Sequence, residues 1–186
     1  PESLKHFIFP KSSIPKLGKK DYEYIKKELL LSKRPVLLIG GGVRASDSIP
    51  ELEKFLKKIP IPLTYSASAP DTYGTENHLS IGSVGMMGCS RAGNFTVQNS
   101  DLILVLGCRL NSMTFGNDAS KFAREAKIIV VDIDQIEHSK DAVEIDRLII
   151  ADIKHTLHTF NKYLKLNAKT EWVNKCAHWK KTFPNC

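Results

Sequence analysis

Asp101-Leu-Ile-Leu-Val-Leu-Gly107 is the stretch that most narrows what this chain can fold into. Five aliphatic residues in a row leave no polar face, so a strand made of them has to be buried on both sides. Strands of that kind belong to parallel sheets covered by helices. In such sheets ligands sit beyond the carboxyl ends of the strands. Gly107, Cys108 and Arg109 occupy that end. The fork of donors on Arg109 suits a phosphate, and it equally suits a neighbouring carboxylate. Position alone leaves both open.

The rest of the chain alternates accordingly. Residues 1–17 carry Pro10 and Pro15 and read as a linker. Asp21–Leu31 has helical spacing of apolar residues and is stopped by Arg34-Pro35. Val36–Ile39 reads as a buried strand that runs straight into Gly40-Gly41-Gly42, and Ser46 is placed to cap a helix over Asp47–Lys58. Pro60–Tyr65 reads as a strand and Ser66–Glu76 as a long loop. Leu79–Gly82 leads into a segment dotted by Gly82, Gly85 and Gly88, followed by a helix from about Cys89 to Asn99. After the Leu102–Leu106 strand come a loop over Asn111–Asp118 and a short helix over Ala119–Glu125. Lys127–Val131 and Arg147–Ile150 are further strands, and Ile153–Leu164 and Glu171–Lys180 are helical. Strands alternating with helices predict a doubly wound α/β domain.

Candidate ligand groups collect at the strand ends. Three glycines after the first strand permit a tight turn and close backbone approach to a phosphate. They are not the G-x-G-x-x-G fingerprint, because position 45 is Ala and no acidic residue closes the strand at Thr64–Tyr65. Asp132-Ile133-Asp134 suits ribose hydroxyls, or else Asp134 caps a turn containing Glu137, with one role open to each aspartate. Met86-Met87 suits a flat ring or simple packing. Cys108 reads as a small buried residue with no base placed to activate it. His155 and His158 share a helix face at i, i+3 and read as surface rather than as metal ligands. No G-x-S-x-G, no G-x-x-x-x-G-K-[ST] and no paired acid and base stand out, so the sequence carries a binding architecture without an evident reaction centre.

Composition excludes some classes. There are 27 Lys+Arg against 20 Asp+Glu, a net charge of +7. The lysines are scattered without the interleaved aromatics of a base-stacking platform, so nucleic acid is not the expected partner. No apolar run approaches the roughly 20 residues of a membrane span. The four cysteines form no C-x-x-C pair, which suits reduced thiols in the cytoplasm. A chain running from Pro1 to Cys186 reads as a piece of something longer.

Several runs together resemble a known family. They are Arg-Pro-Val-Leu-Leu-Ile-Gly-Gly-Gly (34–42), Gly-Met-Met-Gly (85–88), Arg-Ala-Gly-Asn-Phe-Thr-Val-Gln-Asn-Ser-Asp-Leu (91–102), Leu-Gly-Cys-Arg-Leu (106–110) and Phe-Ala-Arg-Glu-Ala-Lys-Ile-Ile-Val-Val-Asp-Ile-Asp (122–134). Over about residues 18 to 155 the chain resembles the central domain of thiamine-diphosphate-dependent enzymes, of the acetolactate synthase type. That resemblance implies an α/β, three-layer doubly wound fold. It has a six-stranded parallel sheet with helices on both faces, a Rossmann-like, DHS-like nucleotide-binding domain. It implies a central domain over 18–165, with linkers over 1–17 and 166–186 leading from a pyrimidine domain and towards a pyrophosphate domain. Those two domains would bind thiamine diphosphate and Mg2+ in a homo-oligomeric parent, dimer or tetramer, that decarboxylates a 2-oxo acid such as pyruvate and passes the carbanion to a second carbonyl. The activating Glu and the G-D-G…N-N magnesium motif of those domains are not in this sequence, so the chain alone is expected to be catalytically silent. The resemblance further implies FAD or ADP on the middle domain. Its site would be lined by Gly40, Gly41, Gly42, Ser66, Ala67, Gly85, Met86, Gly107, Arg109, Asp132 and Ile133. Met87, Met113 and Ala151 stand where the family pattern has His, a second Arg and Gly. Two other readings stay open, an independent NAD-binding enzyme of sirtuin-like fold and a structural domain whose nucleotide site has decayed.

Overall fold

A computed structural model describes residues 13–86, 90–140 and 143–184. Six strands form one sheet: β1 (Pro35–Ile39), β2 (Leu63–Tyr65), β3 (Ser80–Ser83), β4 (Leu102–Leu106), β5 (Lys127–Asp132) and β6 (Arg147–Ile150). All neighbours pair in parallel, in the order β3-β2-β1-β4-β5-β6. The order reverses between β1 and β4, so their carboxyl ends flank a topological switch point, the place where doubly wound sheets hold ligands.

Parallel pairing demands crossovers, and these supply the two outer layers. Helices α1 (Lys19–Leu31), α3 (Ile49–Lys58) and α6 (Ile153–Tyr163) cover one face. There Ile25, Leu29, Leu52, Phe55 and Phe160 meet Leu37, Ile39, Leu104 and Leu106. Helices α4 (Arg91–Gln98) and α7 (Thr170–Thr182) cover the other, over Val36, Leu38, Ile103 and Val105. Successive residues of β1 and β4 thus point into opposite cores, which is why both strands are aliphatic throughout.

Several boundaries differ from the sequence expectations, each for a local reason. β2 starts only at Leu63, because Pro60 and Pro62 have no N–H to give a ladder. Ser46 does not cap the long helix. Gly42–Ala45 forms a separate four-residue turn of helix, α2, the chain then reverses through Asp47 at φ 52°, and α3 begins at Ile49. The Asn111–Asp118 loop contains the one-turn helix α5 (Ser112–Phe115), closed by Gly116 at φ 95°. The helix expected over Ala119–Glu125 shrinks to a 3-10 turn, Ala119–Lys121, and Ala123 beyond it adopts φ 46°. The sixth strand, β3, was not distinguished from its loop, since Ser80-Ile-Gly-Ser83 carries a single aliphatic side chain.

The Arg-Ala-Gly-Asn run at the start of α4 has a packing role. Ser90 caps the helix by accepting from Gly93 N at 2.8 Å. A Cβ on Gly93 would lie 2.3 Å from the Ser83 carbonyl, so only glycine lets α4 press onto β3. Asn94 then clamps the turn after β3, accepting from Gly85 N at 3.2 Å and donating to Gly85 O at 3.3 Å. The helix expected from Cys89 begins at Arg91 among the described residues; Met87, Gly88 and Cys89 lie outside them.

Candidate functional site

The turns after β1 and β4 touch backbone to backbone. Gly40 N donates to Leu106 O at 3.1 Å and Gly42 N to Gly107 O at 3.0 Å. A Cβ on Gly40 would sit 2.3 Å from Gly107 O, and one on Gly42 would sit 2.7 Å from Gly107 Cα. The first and third glycines therefore serve this close approach. Gly41 does not: its nearest neighbour, Ser68 Oγ, lies 3.6 Å from where a Cβ would stand.

Above this contact opens a cleft of about 680 Å³. Seven of the expected site residues line it: Gly41, Gly42, Ser66, Ala67, Gly107, Arg109 and Asp132. Gly40 lies beneath it in the strand contact, and Ile133 is 57% exposed outside the lining. Gly85 and Met86 also stand outside the lining, packed beside it: Met86 N donates to Met113 O at 3.1 Å, and a Cβ on Gly85 would strike that same carbonyl. Sequence reasoning missed Ser68, Asn111, Thr114 and Glu137 as lining residues. Their one signal is placement, each lying a few residues past a strand end.

The floor is buried and polar at its edges. Cys108 is buried, and burial pushes its thiol up, partly offset by hydrogen bonds from Leu110 N, Ser66 and Thr114. A thiol in that state is a small apolar plug, not a nucleophile. Ser66 and Ser68 share a hydrogen bond of 2.9 Å. Gly107 at φ 55° and Leu110 at φ 44° bend the chain sharply on either side of Cys108 and Arg109. Arg109 is exposed and, among the described residues, has no ion-pair partner.

On the opposite wall the two aspartates divide their roles. Asp134 caps the next turn, accepting from Ile136 N and Glu137 N at 3.0 Å each. Asp132 is mostly buried, with its Oδ1 accepting from Asp134 N at 3.0 Å. Its Oδ2 lies 3.3 Å from Nε2 of His138, whose side chain is buried. Burial pushes the Asp132 carboxyl up, but His138 and the amides of Asp134 and Ile133 outweigh it and hold the group below the usual aspartate range. Asp132 therefore faces the cleft as an anion, with lone pairs still open on each oxygen.

Against this geometry, a family model described as thiamine pyrophosphate enzyme, central domain, matches residues 23–160. The chain belongs to that family. The central domain is also similar to acetolactate synthase large subunits. That of Cyanidium caldarium is 34% identical over 87% of this chain and 28% of its own length. That of Buchnera aphidicola subsp. Schizaphis graminum is 33% identical over 95% of this chain and 32% of its own. Acetolactate synthase 1, chloroplastic, of Zea mays is 33% identical over 82% and 24%. The chain thus spans about a quarter to a third of the length of these relatives. Among the described residues, no helix of the central domain is long and apolar enough to cross a membrane.

Proposed function

We propose that this chain is the central domain of an acetolactate synthase-like enzyme, and that its strand-end cleft binds the diphosphate and ribose of FAD or ADP. The observation that carries the reading is the meeting of three groups in one cleft at the switch point. These are a glycine turn open at Gly41, the Arg109 cation, which has no ion-pair partner among the described residues, and the Asp132 anion. Arg109 would take the diphosphate with two parallel donors. Asp132 would accept from the ribose hydroxyls through its open lone pairs. FAD bound here would act as a structural group, with no net electron transfer.

The parent enzyme would decarboxylate a 2-oxo acid such as pyruvate on thiamine diphosphate and transfer the resulting carbanion to a second carbonyl. That cofactor and its Mg2+ would be held by the pyrimidine and pyrophosphate domains in a homo-oligomer, and this chain's own residues would bind and orient the nucleotide beside them. The names of the relatives support the reaction class, and the breadth of the match across this chain supports the domain's place in it.

The test is calorimetric titration of the 186-residue chain with FAD, ADP and NAD in one buffer. Saturable FAD or ADP heat that disappears in Arg109→Ala is the expected result. Binding of NAD alone, or heat that survives Arg109→Ala unchanged, refutes the nucleotide part of the reading.

A further inference from the structure

One arginine, Arg109, lines this cleft, and a second, Arg44, stands just outside the lining between Gly42 and Ala45, which belong to it; the two are in different states. Arg109 is without an ion-pair partner among the described residues, whereas Arg44, carried on α2 inside the glycine turn, is held by Asp71. Asp71 belongs to the loop that leaves β2. The pair therefore joins two segments that each contribute to the lining, the turn carrying Gly41, Gly42 and Ala45 and the loop that starts with Ser66, Ala67 and Ser68, while Arg44 and Asp71 themselves stand beside it. The walls already lie close, since Ser68 Oγ is the atom a Gly41 Cβ would meet first.

The loop is fastened more firmly elsewhere. Ala69 and Thr72 are buried, and Lys180 of α7 donates to Thr75 O at 2.5 Å and to Asn77 O at 3.0 Å. The Arg44–Asp71 pair is an exposed attachment, with its side chains 47% and 69% accessible. An ion pair so open to water holds weakly. A phosphate offers a guanidinium more charge than a carboxylate does, and a matching pair of acceptor oxygens.

We infer that the Arg44–Asp71 ion pair is an exchangeable latch beside the cleft: a nucleoside diphosphate bound there draws Arg44 from Asp71 onto its phosphates, so Asp71 sets affinity by competing for that arginine. The inference rests on the nucleotide reading above. It assigns the second cation of the site and a residue that works against the ligand. The competition belongs to the phosphates, so a ligand lacking them does not feel it.

The experiment titrates the 186-residue chain and its Asp71→Asn, Arg44→Met and doubly substituted variants with ADP and with adenosine. Thermal midpoints confirm that each variant is folded; both positions are on the surface. Asp71→Asn is expected to tighten ADP up to about fivefold, the size of a weak surface pair, and to leave adenosine unchanged. Arg44→Met is expected to weaken ADP and to abolish the gain from Asp71→Asn. Equal ADP affinity in the parent chain and Asp71→Asn overturns the latch and leaves the nucleotide reading standing. So does a gain that persists in the Arg44→Met background, or one shared by adenosine. ADP that binds neither the parent chain nor Asp71→Asn overturns both. ADP that binds only once Asp71 is neutralised supports both.

Discussion

Asp132 shows how much of one side chain's surroundings a sequence leaves out. Its place at a strand end marks it as ligand-facing, and it does line the cleft. Its partner His138 follows six residues later with no pattern to announce it, because the contact depends on a 3-10 turn over Glu137–Ser139 that brings the ring back. The depressed carboxyl has a thermodynamic consequence. A group whose pKa is lower folded than unfolded stabilises the fold above the unfolded value, about 3.9 for aspartate, and that contribution fades as pH falls through the folded value. Chemical denaturation of the natural sequence and Asp132→Asn across pH should show the natural one more stable at neutral pH. The gap should narrow below about pH 4. A gap that widens on acidification would mean that Asp132 is not held by the contacts described. Asp101 illustrates the same limit. It was visible only as a strand boundary, yet it accepts from Ser32 Oγ, from Lys33 N at 2.8 Å and from Arg34 N at 3.0 Å, tying the turn before β1 to the start of β4.

The β1 turn and the β4 turn were both legible as elements, because two aliphatic runs each end in glycine. Which glycine does what was not legible, since that depends on the register that sets Leu38 beside Val105 and Ile39 beside Leu106. Register of that kind is a contact between distant parts of the chain, and no local pattern encodes it. The division of labour can be measured. Gly42→Ala drives a Cβ to 2.7 Å from backbone and should cost about 1–3 kcal/mol, as overpacking does. Gly41→Ala meets nothing closer than 3.6 Å and has φ −60°, a conformation alanine adopts freely. Its stability should match or exceed that of the natural sequence, by up to about 1 kcal/mol in chemical denaturation. Equal losses at both positions would dissolve the distinction drawn between them. The strand β3 and the one-turn helix α5 escaped the sequence for a related reason: short, polar elements exist because their neighbours pair with them.

The family resemblance implied a six-stranded parallel sheet with helices on both faces, and the sheet has those six strands, including the β3 that the residues alone did not announce. Less foreseeable was how much of the second face depends on α7, part of a stretch expected as a linker. Trp172 is buried there, donating to Pro35 O at 3.0 Å, and Trp172, Trp179, Phe95 and Phe183 form a chain of edge-to-face contacts. Beside them burial pushes the Cys176 thiol up to about 12. Trp172→Ala should cost about 3–5 kcal/mol in urea unfolding, and a loss under 1 kcal/mol would show that α7 only rests on the sheet. The strand order also bears on how such a chain is made. β1 lies at the centre of the sheet, yet it leaves the ribosome before one of its two neighbours exists. β2 follows it soon, but β4 comes only after everything from Gly40 to Asp101 has been synthesised, which takes several seconds at about 5–20 residues per second. Throughout that interval one edge of Pro35–Ile39, apolar on both faces, stays open to any other strand in the cell. The segment that anchors the finished sheet is thus the one most in need of shelter while the chain is being born.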